Sequence, residues 1–262
     1  MAKIEATRKI EYKRTTSYKR KSNSSSVKSS LPKELWTEVL GYVASTSLAD
    51  LFNVKLSCKD FSELAEDFYI FQQASLKKVP TNPFCLSNLS KKASSFLELC
   101  LKFGNPESLF RQGVIDYFSL GRIKSGLEYL KRAADKGHLE ATYMYGIILL
   151  CSEGELKQEG LRILSSLKRS NSGGMKECRK RTKTLMQSGF WVRNFIVRQL
   201  VTCCREEPCR VLIRNSGWES NDIELDADDD ALCDACSCNC EVKWFSNILP
   251  GKRKRMRINW LN

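Results

Sequence analysis

The sequence predicts an all-α protein with a three-helix unit near its N-terminal end, an α-helical repeat region and a small irregular cysteine-rich segment. Three observations support this prediction. Residues 31–67 contain three short runs of apolar side chains at helical spacing. Residues 104–164 contain a pattern that recurs after 33 residues, a period typical of helix-turn-helix repeats. Seven of the twelve cysteines fall within residues 203–240.

The net charge of +13 lies almost entirely at the two ends of the chain. Residues 1–30 carry nine Lys or Arg against two Glu, and residues 251–262 carry five bases and no acid. The rest is close to neutral, which argues against a body that binds nucleic acid. We predict a disordered basic tail over residues 1–29, because it has too few apolar groups to offset the entropy of ordering.

The first unit is predicted to consist of three helices of about ten residues. The first begins at Pro32, a residue suited to the first helical position, and Leu35, Trp36, Val39, Leu40 and Val43 then share one face. Ser47 and Asp50 have the spacing of a capping box before the second helix, and Cys58 opens the third. So short a unit cannot hide all its apolar side chains, so they either pack on the rest of the chain or form a docking face.

The residues of this unit resemble the F-box, the short module that docks on the Skp subunit of SCF (Skp, cullin, F-box) ubiquitin ligases. Leu31 to Leu35 match the opening L-P-x-E-[LI], Val39-Leu40 the central aliphatic pair, and Val54 to Phe61 the segment V-x-x-[SV]-C-[KR]-x-[FW]. The resemblance implies an F-box at residues 30–70. It also implies that F-box packing and Skp docking are carried by Leu31, Pro32, Glu34, Leu35, Val39, Leu40, Leu48, Leu51, Val54, Cys58 and Phe61.

Residues 71–93 are predicted to be a linker, because prolines interrupt their polar sequence. A helical repeat domain is predicted for residues 94–203. Within it, Gly113 and Gly146 occupy equivalent places in the two copies, and glycine there allows neighbouring helices to approach closely. The segment KRAADKGHLEA resembles the junction of Sel-type repeats, relatives of the tetratricopeptide class. The alternative is an irregular helical bundle.

No set of residues suited to catalysis is evident. His138 is the only histidine, and we expect it on the surface where one repeat leads into the next helix. No Ser-His-Asp or Cys-His set can be completed without it, and no phosphate-binding loop of the G-x-x-x-x-G-K-[ST] type occurs. We therefore predict that the protein is not an enzyme.

The cysteine-rich segment, residues 204–250, is a candidate zinc site. Cys233 and Cys236 have the spacing of two thiolates on one ion, and Cys204 and Cys209 are candidates to complete it, with Cys238 or Cys240 as alternatives. The second C-x-x-C pair of a typical zinc site is missing, so unmetallated cysteines remain the competing interpretation. We expect no required cofactor and a possible structural zinc.

A basic tail at residues 251–262 closes the chain. Its cluster Lys252–Arg257, like Lys19–Lys21, is either a nuclear localisation signal or a solvated tail, so we expect a protein of the nucleus and/or cytoplasm. Cysteines without an apolar leader indicate a reducing compartment, and the apolar stretch Ile147–Cys151 is too short to span a bilayer. A soluble intracellular protein without a membrane partner is expected.

The combination of F-box, Sel-type repeats and cysteine-rich tail resembles a family of plant F-box proteins. The resemblance implies a non-catalytic adaptor that binds a Skp-type subunit, through it a cullin, and an unknown substrate protein. Two alternatives stay open from the sequence. One is a nuclear zinc-dependent nucleic-acid-binding protein, for which the near-neutral body is unfavourable. The other is a repeat scaffold whose F-box is degenerate.

Overall fold

The structure, a computed structural model, describes residues 31–80, 90–170, 172–187, 201–203 and 232–249. Across these ranges the chain forms helices joined by turns, with no strand. The prediction of an all-α fold is confirmed. Both basic tails lie outside the described residues, as does most of the cysteine-rich segment.

Eleven α-helices are described, and one of them continues into a π-helical turn. In chain order they are α1 Lys33–Thr46, α2 Leu48–Ser57, α3 Lys59–Leu64, α4 Phe68–Gln73, α5 Lys91–Lys102, α6 Pro106–Val114 with the π-helical turn Ile115–Leu120, α7 Ile123–Asp135, α8 Leu139–Leu150, α9 Glu155–Ser170, α10 Ser172–Gln187 and α11 Asp234–Ile248.

Helices α1 to α4 form the N-terminal unit around a small core. Buried side chains from all four helices meet there, with Leu40, Leu51, Leu64 and Phe71 at its centre. The capping residue expected before α2 is present, since the Oγ of Ser47 accepts a hydrogen bond from the backbone N–H of Asp50 at 3.2 Å. Side chains cap α2, α3 and α4, and all four helices share one core.

Helices α6 to α9 form two antiparallel pairs that repeat after 33 residues. The predicted close approach at the repeat glycines is confirmed, because a Cβ on Gly113 would lie 2.8 Å from Cγ of Leu130 and one on Gly146 would lie 2.9 Å from Cγ of Leu164. The turn before each pair also repeats, since Gly104 and Gly137 have φ of 78° and 81°.

Helix α11 packs into the core of the repeats. Phe245 is fully buried there and Trp244 nearly so. The expected irregular segment thus contains an ordered helix in its described part. Side-chain pairing explains the difference, because Glu241 accepts a hydrogen bond from the Tyr143 hydroxyl at 2.9 Å and pairs with Arg179 at 2.8 Å. Burial, with the nearby charge of Glu241, raises the pKa of Tyr143 well above its ordinary value.

Helix α5 connects the two cores. Its residues Phe96 and Cys100 lie in the core of the N-terminal unit, whereas Leu101 packs against the repeats. The rings of Phe71 on α4 and Phe96 are 5.5 Å apart. The apolar surface of the N-terminal unit is therefore covered on one side by this chain itself, and only the remainder is open to a partner.

Candidate docking surface

Helix α1 carries apolar side chains on two opposite faces. One face, with Leu40 and Ala44, is buried in the core of the N-terminal unit. The other is a stripe spaced by four and three residues, which places its members on one side of the helix. We call it the α1 stripe; it consists of Leu35, Val39 and Tyr42, which are 45%, 48% and 73% exposed, and Leu31, just before the helix, is 41% exposed.

The apolar face predicted for α1 is therefore divided by the structure. Leu35 and Val39 point to solvent while Leu40 points to the core, although all three appear on one broad apolar face in the sequence. A face that wide exceeds what the three short neighbouring helices cover.

The predicted docking residues fall into three groups by exposure. Leu31, Pro32, Glu34, Leu35 and Val39 are exposed. Leu40 and Leu51 are buried, so their side chains act in packing. The half-buried ones are Leu48, Val54, Cys58 and Phe61. Phe61 meets Trp36 edge to face, with ring centroids 5.1 Å apart, and Cys58 caps α3 through a 3.5 Å hydrogen bond from the N–H of Phe61.

Four further exposed apolar residues were missed from the sequence, namely Tyr42, Phe52, Leu56 and Phe68. Tyr42 follows Val39 by three residues, a spacing that marked it as part of the stripe. Leu56 on α2 is 85% exposed, and Phe68 at the start of α4 is about half exposed. Glu34 and Phe68 also line a shallow groove of about 340 Å³ between α1 and α4.

The N-terminal unit is joined to the repeats by buried hydrogen bonds. Asn105 donates from Nδ2 to the carbonyls of Phe71, Gln72 and Ala74 at 3.0, 3.0 and 2.9 Å, and its Oδ1 caps the start of α6. Arg111 donates to the carbonyl of Leu76 at 2.8 Å. The predicted linker is therefore tied down in its first part, and its residues 81–89 lie outside the described ranges.

A buried charge network lies where the repeats begin. Glu107 pairs with Arg111 at 2.7 Å and with Nε2 of His138 at 2.8 Å, and Arg181 reaches both Glu107 and Glu140. Burial alone would raise the pKa of Glu107, but the hydrogen bond with His138 and the charge of Arg111 lower that pKa to about 2.

The expected surface position of His138 is wrong. Its side chain is largely buried, stacks on Phe110 with ring centroids 4.7 Å apart, and caps α8 by accepting a hydrogen bond from the N–H of Ala141. His138 stands where Asn105 stands one repeat earlier, since both are the N-cap residues of equivalent helices. Its role is structural.

Three cysteines converge beside α11. The Sγ atoms of Cys203, Cys233 and Cys236 all lie within 4.8 Å of one another. Cys233 and Cys236 were expected ligands, whereas Cys203 was not chosen from the sequence, and Cys204 and Cys209 lie outside the described residues. Cys238 turns away into the repeat core, where its Sγ is 3.8 Å from Oγ of Ser165.

Within the described parts of the chain, no helix has the length and apolar character that crossing a bilayer requires.

Comparison with known proteins finds both an F-box protein and a tetratricopeptide-like repeat family. A family model described as plant tetratrico peptide repeats matches residues 77–187. A putative F-box protein of Arabidopsis thaliana is 33% identical over 253 residues, which cover 92% of this chain and 82% of that protein. A second F-box protein of the same plant is 31% identical over 121 residues, or 46% of this chain and 72% of that protein. No solved structure matches.

Proposed function

Because the chain belongs to the plant F-box proteins with tetratricopeptide-like repeats, we propose that it is a substrate-recognition adaptor of an SCF-type ubiquitin ligase. In this proposal Leu31, Pro32 and the α1 stripe dock on a Skp-type subunit, which connects the chain to a cullin. The repeats and the C-terminal helix hold a target protein. The adaptor has no catalytic part, and other subunits carry out ubiquitin transfer.

The observation that carries the proposal is the exposure of the α1 stripe. Three large apolar side chains, Leu35, Val39 and Tyr42, lie in one line on a helix whose other face already fills a core, and Leu31 is exposed just before that helix. Covering the exposed part of each stabilises a complex by about 1 kcal/mol, before the costs of association. A stripe of this kind is suited to a partner helix or groove.

The junction supports the proposed mechanism. Asn105 and Arg111, which lie in the repeat region, donate hydrogen bonds to the backbone carbonyls of Phe71 and Leu76 at the end of the N-terminal unit. A stiff connection keeps the docking unit and the target-binding region at a constant separation, which raises the effective concentration of target lysines near the ubiquitin-carrying subunit. We place the protein in the nucleus and/or cytoplasm, where its basic tails would act as import signals in the nuclear case.

Reconstitution tests the proposal. We expect the purified full chain and a Skp-type subunit to co-elute in size-exclusion chromatography as a stoichiometric complex that recruits a cullin. Leu35→Asp places a charge in the α1 stripe and should abolish co-elution. Leu156→Asp, at an exposed leucine on α9, is the matched control and should leave it intact. Leu51 is unsuitable as a probe, because it is fully buried and its replacement would disturb the fold.

Failure of the folded wild-type chain to bind any Skp-type subunit would reject the adaptor role. It would instead favour a repeat scaffold with a degenerate F-box. Binding that is lost equally in both variants would move the docking surface away from the α1 stripe.

A further inference from the structure

We propose that Cys203, Cys233 and Cys236 bind one zinc ion, which joins the segment 201–203 to the first turn of α11. The site is independent of the proposed adaptor role. Each thiol releases its proton to solvent as it becomes a thiolate ligand. Three protein ligands leave one position of a tetrahedral ion for a fourth donor.

The separation of the sulfur atoms supports coordination. The Sγ atoms of Cys203 and Cys233 are 3.7 Å apart. A tetrahedral zinc ion with Zn–S bonds of about 2.3 Å holds its sulfurs about 3.8 Å apart. Bonded sulfurs of a disulfide would be about 2.05 Å apart. Since Sγ of Cys236 also lies within 4.8 Å of the other two, small side-chain adjustments place all three around one ion.

The backbone holds these thiols in place before an ion arrives. Cys233 is the N-cap of α11, and its Sγ accepts a hydrogen bond from the N–H of Cys236 at 3.5 Å. Cys203 is positioned from the other segment. Asn239 of α11 accepts from the N–H of Val201 at 3.0 Å and donates to its carbonyl at 2.7 Å. Ligands on two segments, 30 residues apart, are thus brought together by the fold.

The charges around the cluster favour thiolates. The start of a helix stabilises negative charge through its exposed N–H groups and dipole. Two cationic side chains from the end of α9 also reach the first turn of α11, since Lys168 donates to Oγ of Ser237 at 3.0 Å and Arg169 pairs with Asp234 at 3.2 Å. Three thiolates around a dication leave a net negative charge, to which Asp234 adds and which Lys168 and Arg169 together counter.

Three other buried cysteines differ from this cluster. Cys100, Cys178 and Cys238 are each buried in one of the two hydrophobic cores, and burial raises the pKa of each thiol to about 12. They act as small core side chains. The three clustered thiols share only a small apolar surround, chiefly Ala235, with Val201 and Leu232 half-buried beside them. Thiolate sulfur selects soft or borderline ions such as zinc.

Metal content of the full chain tests the proposal. Protein purified without a histidine tag and dialysed against metal-free buffer should retain one zinc per chain by elemental mass spectrometry. Cys203→Ser, Cys233→Ser and Cys236→Ser should each reduce this at least tenfold. Cys238→Ser is the matched control, a buried cysteine on the same helix outside the cluster, and should keep its zinc. Zinc that is absent from wild type, or retained in all three variants, would overturn the proposal.

A second measurement applies even if a serine variant fails to fold. Wild-type protein stripped by a chelator and loaded with Co²⁺ should show the intense near-ultraviolet thiolate-to-cobalt band and the visible bands of tetrahedral cobalt. X-ray absorption of the zinc form should count at least three sulfurs. A count of two or fewer overturns the proposal, as does metal-free protein with Cys203 and Cys233 oxidised to a disulfide.

Discussion

The N-terminal unit and the repeat region use apolar side chains in opposite ways. Of the eleven large hydrophobic side chains that are exposed among the described residues, seven lie between Leu31 and Phe68. The longer repeat region contributes four, and its core also takes in α11. The repeats bury most of their apolar side chains within this chain, whereas the N-terminal unit leaves an exposed apolar surface, which the proposed adaptor role assigns to a partner.

The largest expected effect comes from removing a large side chain from the repeat core. Phe245→Ala should lower the free energy of unfolding by about 3–5 kcal/mol, because it leaves a cavity where α11 meets the repeats. Phe68→Ala, which removes the same side chain from a half-exposed site in the N-terminal unit, should cost less than about 1 kcal/mol. Urea denaturation of the full chain measures both. Equal losses would remove the distinction between the regions.

Part of the folding stability of the repeat region should be lost in acid. The pKa of Glu107 is lowered from 4.5 to about 2, so its stabilisation is complete above its unfolded pKa and disappears as the pH falls from about 5 to 2. The shift corresponds to at most about 3 kcal/mol. Glu107→Gln should be less stable than wild type at neutral pH. Its free energy of unfolding should also fall less than that of wild type as the pH is lowered.

Thermal melts from pH 7 to pH 2 measure this contribution. Glu128→Gln, at an exposed carboxylate on α7, serves as the control and should follow wild type. A Glu107→Gln variant with the stability and the acid profile of wild type would show that the buried network contributes nothing.

Loss of the hydrogen bonds between the N-terminal unit and the repeats should have an intermediate effect on stability. Asn105→Ala removes three hydrogen bonds to the end of α4 and the cap of α6, so we expect a loss of about 2 kcal/mol. Amide exchange should accelerate in the first turn of α6. Asn53→Ala, at an exposed asparagine on α2, should change neither quantity. Unchanged exchange in Asn105→Ala would mean that other contacts hold the two regions together.

Features with a short sequence period could be predicted. Helices α1 and α2, the Ser47 cap and the contacts at Gly113 and Gly146 all follow from residues a few positions or one repeat apart. The third predicted helix of about ten residues is wrong, because the structure divides this part of the chain into the six-residue helices α3 and α4. The docking of α11 could not be predicted in this way. It depends on the hydrogen bond between Tyr143 and Glu241, which are 98 residues apart. The residues next to either side chain carry no pattern that predicts this contact.

The candidate sites show the same limit. The sequence marks α1 as broadly apolar, but only packing against α2 to α4 decides that Leu40 turns inward and Val39 outward. Cys203 reaches Cys233 from the segment 201–203, which belongs to no helix or strand. Without a regular period, the sequence does not predict which way a side chain of such a segment points. His138 was misplaced because its partners, Glu107 and Phe110, come from the preceding repeat.

The smallest expected effect on stability accompanies the largest effect on binding. Leu35→Ala and Val39→Ala should each change the free energy of unfolding by less than about 1 kcal/mol, since both side chains are about half exposed. Each should weaken binding to a Skp-type subunit by about tenfold, because a truncated apolar contact removes about 1 kcal/mol or more from an interface. Leu156→Ala should alter neither.

The central claim is tested most directly by measuring affinity and stability on one double variant. Isothermal titration of a Skp-type subunit into Leu35→Asp/Val39→Asp should show an affinity at least about 100-fold below wild type, with the urea midpoint unchanged. Such a result would show that the α1 stripe serves a partner and not the fold. Wild-type affinity in the folded double variant, or a loss of affinity that appears only with unfolding, would contradict the account.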